Sequence, residues 1–223
     1  MKHDFDLDDE QAARLAAVLE ALERDEHAPT AVRERAQAAK VHVADSLIAL
    51  EVADLREAAA IADLGSGAGF PGLALAIALP QARVRLVESQ RRRCEFLRAM
   101  CAAAGVANAS VVCTRAEQWT EGIGASDAVV ARALAPQPVV LEYAAPLLRL
   151  GALLVDWRGR RNDEEERAAA AAAATLGLGL REIRHVQPFA EARDRHLHVF
   201  VKERATPERF PRRAGIAVKR PLA

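Results

Sequence analysis

The sequence of 223 residues predicts an α/β fold with a mainly parallel sheet, an antiparallel edge strand and a helical amino-terminal section. Two observations support this prediction. From about residue 58, short apolar runs alternate with segments of helical periodicity, which is typical of parallel strands joined by crossover helices. The first apolar run, at 59–64, leads into a glycine-rich turn and then a helix, and an open α/β sheet binds its ligand at such strand ends.

The chain divides into three predicted regions. Residues 1–57 form a helical section, because apolar residues recur at helical spacing within 7–25 and again within 30–55. Residues 58–203 form the ligand-binding domain, which holds the sheet. Residues 204–223 combine proline, glycine and basic residues without periodicity, which predicts a loop or arm.

Within the central domain, a strand is predicted at each short apolar run, and a helix is predicted in the segment of helical periodicity that follows it. The strands are expected at 59–64, 84–89, 109–115, 127–133 and 152–157, with helices at 71–79, 91–105 and 138–151. Seven consecutive alanines, Ala168 to Ala174, predict a further helix with acidic residues at its favourable end. Two closing strands, at 180–189 and 195–203, are close enough in sequence to pair antiparallel at the sheet edge.

Composition favours a globular protein of a reducing compartment. The three cysteines, Cys94, Cys101 and Cys113, fit neither a C-x-x-C pair nor an even disulfide framework, so no chemical role is expected for them. The histidines show no metal-ligand spacing, and no metal is expected. The sequence has neither a signal-peptide pattern nor an uncharged apolar stretch of 18 residues. We therefore expect a cytoplasmic protein, without membrane association, that is a monomer.

The formal net charge of zero conceals a polarised chain. Residues 1–26 carry three basic and nine acidic side chains, whereas residues 202–223 carry seven basic and two acidic ones. A neutral protein of this kind can present a local positive surface. The basic candidates for contacts to nucleic-acid phosphates are Arg158 and, in the tail, Arg209, Arg212, Arg213, Lys219 and Arg220. Charge runs are more often solvated faces, and for the group at 91–93 that interpretation is favoured.

The glycine-rich turn has the form D-x-G-x-G-x-G, made by Asp63, Gly65, Gly67 and Gly69. A P-loop ends in Gly-Lys-Ser/Thr, which is absent, and the dinucleotide fingerprint requires a glycine where Phe70 stands. The pattern suits the amino-acid end of S-adenosylmethionine, because an acid can meet its ammonium group while backbone N–H groups meet its carboxylate.

Two further positions extend this expected cofactor site. Glu88 ends the next strand, where a carboxylate can accept hydrogen bonds from two ribose hydroxyls; the alternative is a solvated strand-end residue. Ala116 and Glu117 follow the third strand, where an adenine ring would lie; a helix cap is an equally good interpretation.

The glycine block with the segments "HVADSL", "RAEQW", "VVARALA" and "ERFPRRAGIAVKRPLA" resembles the RsmG (GidB) family, over about residues 28–223. The resemblance implies a Rossmann-like S-adenosylmethionine-dependent methyltransferase fold. It also implies transfer of a methyl group to N7 of a guanosine in the decoding-region loop of 16S rRNA. The implied partner is 16S rRNA, the small ribosomal subunit or an assembly intermediate.

The resemblance also assigns residues. It places cofactor contacts at Gly65, Phe70, Ala116, Glu117 and Arg132, and puts the H-x-x-D-S segment of His42, Asp45 and Ser46 beside the site as candidate RNA contacts. His42 could equally be a hydrogen-bonded, partly buried histidine. The chain departs from the family pattern at residues 28–30 and at Arg158, where an arginine replaces the usual lysine and changes a point charge to a planar fork.

The expected chemistry agrees with the residues. Guanine N7 has a lone pair and no proton, so its methylation needs positioning but no general base. The D/N-P-P-Y/F pattern used for exocyclic amines is absent after the fourth strand, which ends in Arg132. We expect Arg132 to face the cofactor carboxylate or an RNA phosphate, the alternative being a surface arginine that caps the strand. Two other functions stay open: methylation of a small molecule or protein, and a non-catalytic RNA-binding assembly module.

Overall fold

The computed structural model describes residues 5–222. The predicted helical section is present as α1 (Asp9–Arg24), followed by a nearly continuous helical stretch that changes pitch repeatedly. Asp8 caps α1 and forms a reciprocal capping box with Gln11. The stretch consists of α2 (Arg35–Ala38), a π-helical turn (Ala39–Ala44), α3 (Asp45–Leu47), a 3₁₀ turn (Ile48–Glu51) and α4 (Ala53–Arg56).

In residues 5–222 seven strands form one sheet, in the order β3-β2-β1-β4-β5-β7-β6. The first five pair in parallel, and β7 runs antiparallel to both of its neighbours. The predicted antiparallel pair at the edge is therefore confirmed. The strands are β1 (Ala60–Leu64), β2 (Arg83–Glu88), β3 (Ala109–Cys113), β4 (Ser126–Arg132), β5 (Leu148–Arg158), β6 (Leu178–His185) and β7 (His196–Lys202).

The crossover helices are α5 (Gly72–Ala78), α6 (Arg91–Ala103), α7 (Gln137–Ala144) and α8 (Asp163–Leu176). One predicted boundary is wrong: the helix expected to reach Gly151 ends at Ala144. Pro146 cannot supply the N–H that a further helical turn needs, and Leu148 already pairs with Ser126 of β4. Gly151 lies inside β5 with a φ of +80°, near a register shift, so its role is a bend in a strand and not a helix stop.

Successive side chains of the strands point to opposite faces of the sheet and pack in two hydrophobic cores, one on each face. On one face Ile61, Leu86 and Val130 pack with residues of α1, the helical stretch, α5 and α6. On the other face Leu64 and Val129 pack with residues of α7, α8 and the tail. The amino-terminal section therefore covers one face of the sheet and the carboxyl-terminal part covers the other.

The carboxyl-terminal tail differs from the predicted loop or arm. Within it Ile216–Lys219 forms a short helix, α9, and both Phe210 and Ala217 are buried in the second core. The tail is packed on the domain because it contributes these apolar side chains to the core.

The cysteines also differ from expectation. Cys94 of α6 and Cys113 of β3 form a disulfide, with their Cα atoms 5.8 Å apart, while Cys101 is free. The 19-residue separation gave no sequence signal, because the pairing arises from the packing of α6 beside the neighbouring strand. Among the described residues, no helix has both the length and the apolar character needed to cross a bilayer.

Candidate functional site

A cavity of about 280 Å³ lies where the carboxyl ends of β1 to β4 meet. Its wall includes residues that directly follow these strands, as the open-sheet rule requires. Four of the predicted cofactor residues line it: Gly65, Glu88, Ala116 and Glu117. Arg93, Tyr143, Leu134 and Val218 complete the part of the wall that is used below.

The turn after β1 has a backbone that favours glycine. Gly65 and Gly67 have φ values of +69° and +52°, in the left-handed region. Gly65 and Ser66 both donate their N–H groups to the carbonyl of Val87, so the turn is fastened to β2. The turn therefore brings bare backbone to the cavity, as its sequence predicts.

Glu88 lies at the cavity as a nearly buried carboxylate. Its Oε2 accepts from the N–H of Gly67 at 3.2 Å, and its Oε1 accepts from the N–H of Gln90 at 2.8 Å. A guanidinium nitrogen of Arg93 lies 3.9 Å away. These partners hold the carboxylate still, and they exclude the interpretation of Glu88 as a solvated strand end.

Asp63 lies beneath the turn and is 1% exposed. One carboxylate oxygen, Oδ2, accepts from the N–H of Gly72 at the start of α5, at 3.0 Å. The other, Oδ1, is buried and has no hydrogen-bond partner among the described residues. Burial raises the pKa of Asp63 to about 6, against the lowering effect of its hydrogen bonds. A buried oxygen with unused acceptor capacity suits a cationic donor.

Glu117 and Tyr143 form the side of the cavity below β3. The Oε1 of Glu117 accepts from the N–H of Gly215 at 3.0 Å, so this residue contacts the tail as well as the cavity. Burial and the Glu117 carboxylate raise the pKa of Tyr143 to about 12. Its phenol therefore stays protonated at neutral pH and can donate a hydrogen bond.

A second cavity, of about 410 Å³, adjoins the first. Ala133, directly after β4, lines both cavities and has a φ of +54°, which is rare for a residue with a side chain. The second cavity is otherwise lined by Val41, His42, Asp45, Arg132, Trp157, Arg158, Gly159 and Arg195.

Asp45 is the centre of the polar network in this cavity. Its Oδ2 lies 2.8 Å from Nη1 of Arg132, and its Oδ1 lies 3.2 Å from Nε of Arg195. Its backbone carbonyl accepts from the indole N–H of Trp157 at 2.7 Å. Arg132 also donates to the carbonyl of Val41 at 3.1 Å. Arg132 is therefore not a cap on an exposed strand end, and in this structure its partners belong to the helical section.

His42 is buried and fully engaged. Its Nε2 lies 3.0 Å from the Thr30 hydroxyl and 3.1 Å from the Val32 carbonyl, and its ring stacks on Phe70 with centroids 4.9 Å apart. Burial, and then the charge of Arg132, lower the pKa of His42, so the imidazole is neutral at physiological pH. These contacts agree with one of the two interpretations of His42 from the sequence, that of a hydrogen-bonded, buried histidine.

Ser46 requires a correction. It is fully buried, and its hydroxyl donates to the carbonyl of His42 one helical turn earlier. Direct contact with RNA, expected from its position in the H-x-x-D-S segment, is therefore excluded in this structure. The H-x-x-D-S segment therefore has a structural role at Ser46. The π-helical turn within it directs His42 and Asp45 toward the second cavity.

The other candidate RNA contacts fall into two groups. Arg158 donates to the carbonyl of Ala135 at 3.0 Å and pairs with Glu165, and Arg212 pairs with the buried Glu142. Both guanidiniums are thus committed to partners inside the protein. The exposed group consists of Arg209, Arg213, Lys219 and Arg220.

Three side chains of the two cavities were not predicted from the sequence. Tyr143 lies within a helix, Trp157 has the pattern of an ordinary apolar residue at a strand end, and Arg195 is one of many arginines. Only Trp157 had a usable signal, since it lies near the end of β5 at the carboxyl edge, where ligands bind.

The family model for GidB, rRNA small subunit methyltransferase G, matches residues 9–197 of the chain. The ribosomal RNA small subunit methyltransferase G of Rubrobacter xylanophilus is 41% identical over 187 residues, which are 81% of this chain and 72% of that protein. The protein of the same name from Deinococcus radiodurans is 38% identical over 220 residues, 96% and 85% of the two chains.

Solved structures share the fold. Cofactor-bound Rv0187 from MTB superposes with a TM-score of 0.56 at 25% identity, covering 88% of this chain and 92% of that one. A SAM-dependent methyltransferase from Aquifex aeolicus gives a TM-score of 0.57 at 12% identity, over 74% and 92% of the chains. These comparisons confirm the predicted fold class and the dependence on S-adenosylmethionine, and the chain belongs to the GidB family, rRNA small subunit methyltransferase G.

Proposed function

We propose that this protein methylates N7 of a guanosine in the decoding-region loop of 16S rRNA, with the first cavity holding the cofactor and the second receiving the base. The two cavities share Ala133, so a methyl donor bound in one would lie next to an acceptor bound in the other. The substrate would be 16S rRNA, the small subunit or an assembly intermediate.

The residues of the first cavity, together with the glycine-rich turn beside it and Asp63 beneath that turn, fit S-adenosylmethionine. The unpartnered Oδ1 of Asp63 and the bare backbone at Gly65, Gly67 and Gly69 would hold its amino-acid end. Glu88 would accept hydrogen bonds from the ribose, and Ala116 and Glu117 would flank the adenine. When bound, the cofactor supplies a methyl group carried on a sulfonium.

One observation favours a ring nitrogen as the methyl acceptor: the side chains near Ala133 that could take up a proton already have hydrogen-bond partners. The two that line the second cavity are Asp45 and His42. Asp45 pairs with Arg132 and Arg195. The Nε2 of His42 donates to the Val32 carbonyl, and its other ring nitrogen, Nδ1, lies 3.4 Å from Nη2 of Arg132. Both carboxylate oxygens of Asp45 are thus occupied by guanidinium groups. Guanine N7 needs no general base, because it has a free lone pair and no proton to lose.

The chain's contribution would then be positioning. Alignment of two reacting groups accounts for about 7–11 kcal/mol of a barrier in well-oriented systems. Methylation at N7 makes the base cationic, so an unpaired arginine in the second cavity would oppose it. The Asp45 carboxylate lies against Arg132 and Arg195, which both line the cavity, and its negative charge reduces the penalty that the two guanidiniums would impose on a cationic base.

The test is methyl transfer from labelled S-adenosylmethionine to small subunits and naked 16S rRNA that lack the modification. Digestion to nucleosides identifies the methylated atom, and base-selective cleavage followed by primer extension identifies the nucleotide. We expect 7-methylguanosine at a single site. Label in another nucleoside would contradict the N7 assignment. Label only in a metabolite or protein panel would favour the small-molecule alternative, and cofactor binding without transfer would favour the assembly module.

A further inference from the structure

The carboxyl-terminal tail forms part of the cofactor cavity. Val218 of α9 lines that cavity together with Ala116, Glu117 and Tyr143, although its own side chain is 58% exposed. An exposed aliphatic group at the mouth of a polar cavity gains from contact with a flat apolar ligand surface. Val218 thus has the position and the chemistry to pack on one end of a bound ligand.

A buried ion pair holds the tail in this position. The Nε of Arg212 lies 2.8 Å from Oε1 of Glu142, and a second guanidinium nitrogen contacts Oε2. Glu142, on α7, has a side chain that is 1% exposed, so removal of Arg212 would leave a buried carboxyl group without its ion-pair partner. Arg212 also donates to the carbonyl of Arg220, at 2.9 Å, which closes the tail on itself around α9.

A second contact joins the tail to the cavity wall directly. Gly215 immediately precedes α9, and its N–H donates to Glu117 at 3.0 Å. Ala217, one residue before Val218, is 1% exposed in the core. Since Ala217 faces the core and its neighbour faces the cavity, the rotation of α9 is set by packing.

We propose that the tail is a structural wall of the cofactor site, in which Val218 packs on the adenine end of the ligand and the Arg212–Glu142 pair positions it. The proposal rests on the cofactor arrangement proposed above, with adenine beside Ala116 and Glu117. Under it, the same short helix carries a cofactor contact at Val218 and an exposed cation at Lys219.

The first experiment replaces Val218 with aspartate in the full-length protein and measures binding by calorimetry. Leu150→Asp is the matched control, because it places the same charge on an exposed aliphatic position, 66% exposed, near the start of β5 at the opposite edge of the sheet. We expect Val218→Asp to weaken binding of S-adenosylmethionine and of adenosine by at least about tenfold, and Leu150→Asp to leave both unchanged. Equal affinities for Val218→Asp and wild type would overturn the proposal.

The second experiment separates positioning from folding. Arg212→Ala should lower adenosine affinity, whereas Arg213→Ala, the adjacent exposed arginine, should not. Circular dichroism of both variants checks that the domain is folded, and a folded Arg212→Ala protein with wild-type affinity would contradict the positioning role. If wild-type protein itself failed to bind S-adenosylmethionine, the proposed cofactor arrangement would fail, and this outcome is distinct from a loss confined to the tail variants.

Discussion

The Arg132 guanidinium lies 2.8 Å from the Asp45 carboxylate and joins the end of β4 to the amino-terminal helical section. Both side chains are largely buried, and Arg195 approaches the same carboxylate from the segment before β7. Three parts of the chain that are distant in sequence thus meet at one acidic group beside the second cavity. The ion pair links the position of the helical section to the shape of that cavity.

Neutralising Asp45 should therefore be costly. Asp45→Asn leaves two guanidiniums facing an amide, and the expected loss in the free energy of unfolding is about 3 kcal/mol, as for other broken buried pairs. Asp54→Asn is the control, because Asp54 pairs with Arg181 on the surface, where the expected loss is about 1 kcal/mol or less. Urea denaturation of both variants checks this, and equal losses would show that the Asp45 pair contributes no more than a surface pair.

Asp63 should make the stability of the protein depend on pH. Its pKa of about 6 in the folded state exceeds the ordinary value of 3.8, so the folded protein binds an extra proton between these values. Stability from this group is therefore lost as pH rises from about 4 to 6, by about 3 kcal/mol for the shift of roughly two units from 3.8 to about 6. Asp63→Asn removes this dependence. We expect the stability of the variant relative to wild type to increase between pH 4 and pH 7 in urea titrations; parallel pH curves would contradict the assignment.

The same substitution should weaken cofactor binding, because the amide carries no charge to offer an ammonium group. At pH 7 we therefore expect Asp63→Asn to be more stable than wild type and to bind S-adenosylmethionine more weakly. An Asp63→Asn variant with wild-type affinity for S-adenosylmethionine would place Asp63 outside the cofactor site.

Gly65→Ala should affect the cofactor cavity more than an equivalent change elsewhere. A Cβ at Gly65 would lie 2.5 Å from Cδ1 of Leu134, which lines the same cavity, so Leu134 has to move. Gly105 is the control: its φ of +61° matches the +69° of Gly65, but a Cβ added there would meet no heavy atom within 4 Å. Each alanine costs about 1–2 kcal/mol for the left-handed backbone. Only Gly65→Ala should also reduce affinity for S-adenosylmethionine in calorimetry, and similar affinities for the two variants would argue against a cofactor contact at this turn.

The exposed cations of the tail should set the salt dependence of RNA binding. Deleting the tail is a poor test, because Glu142 would stay buried without Arg212. A triple variant, Arg213→Gln, Lys219→Gln and Arg220→Gln, retains that pair. If all three contact phosphates, the slope of log K against log salt should fall in magnitude by about 2, at roughly 0.7 for each contact on single strands. Arg24→Gln, an exposed change on α1, serves as control, and an unchanged slope in the triple variant would exclude the tail as a phosphate-binding surface.

Local patterns were sufficient for the elements whose signals lie within a few residues. The alternation of apolar runs and helices predicted five parallel strands, and the glycine turn predicted the cavity beside Gly65 and Glu88. The error at Gly151 arose because helix and strand signals overlap in a continuous apolar segment, where only pairing with β4 decides the boundary.

The sequence by itself determined the fold class, the family and the glycine-rich turn that borders the cavity, because each depends on short-range periodicity or on a contiguous motif. Only the tertiary structure decided which charged side chains have ion-pair partners within the protein and which do not. Arg132, Arg158 and Arg212 look like surface cations in the sequence, yet each meets a carboxylate at least seven residues away. The Cys94–Cys113 disulfide and the seating of Val218 at the cavity have the same origin. Burial and electrostatic pairing are properties of distance in space, which residue type and local spacing do not encode.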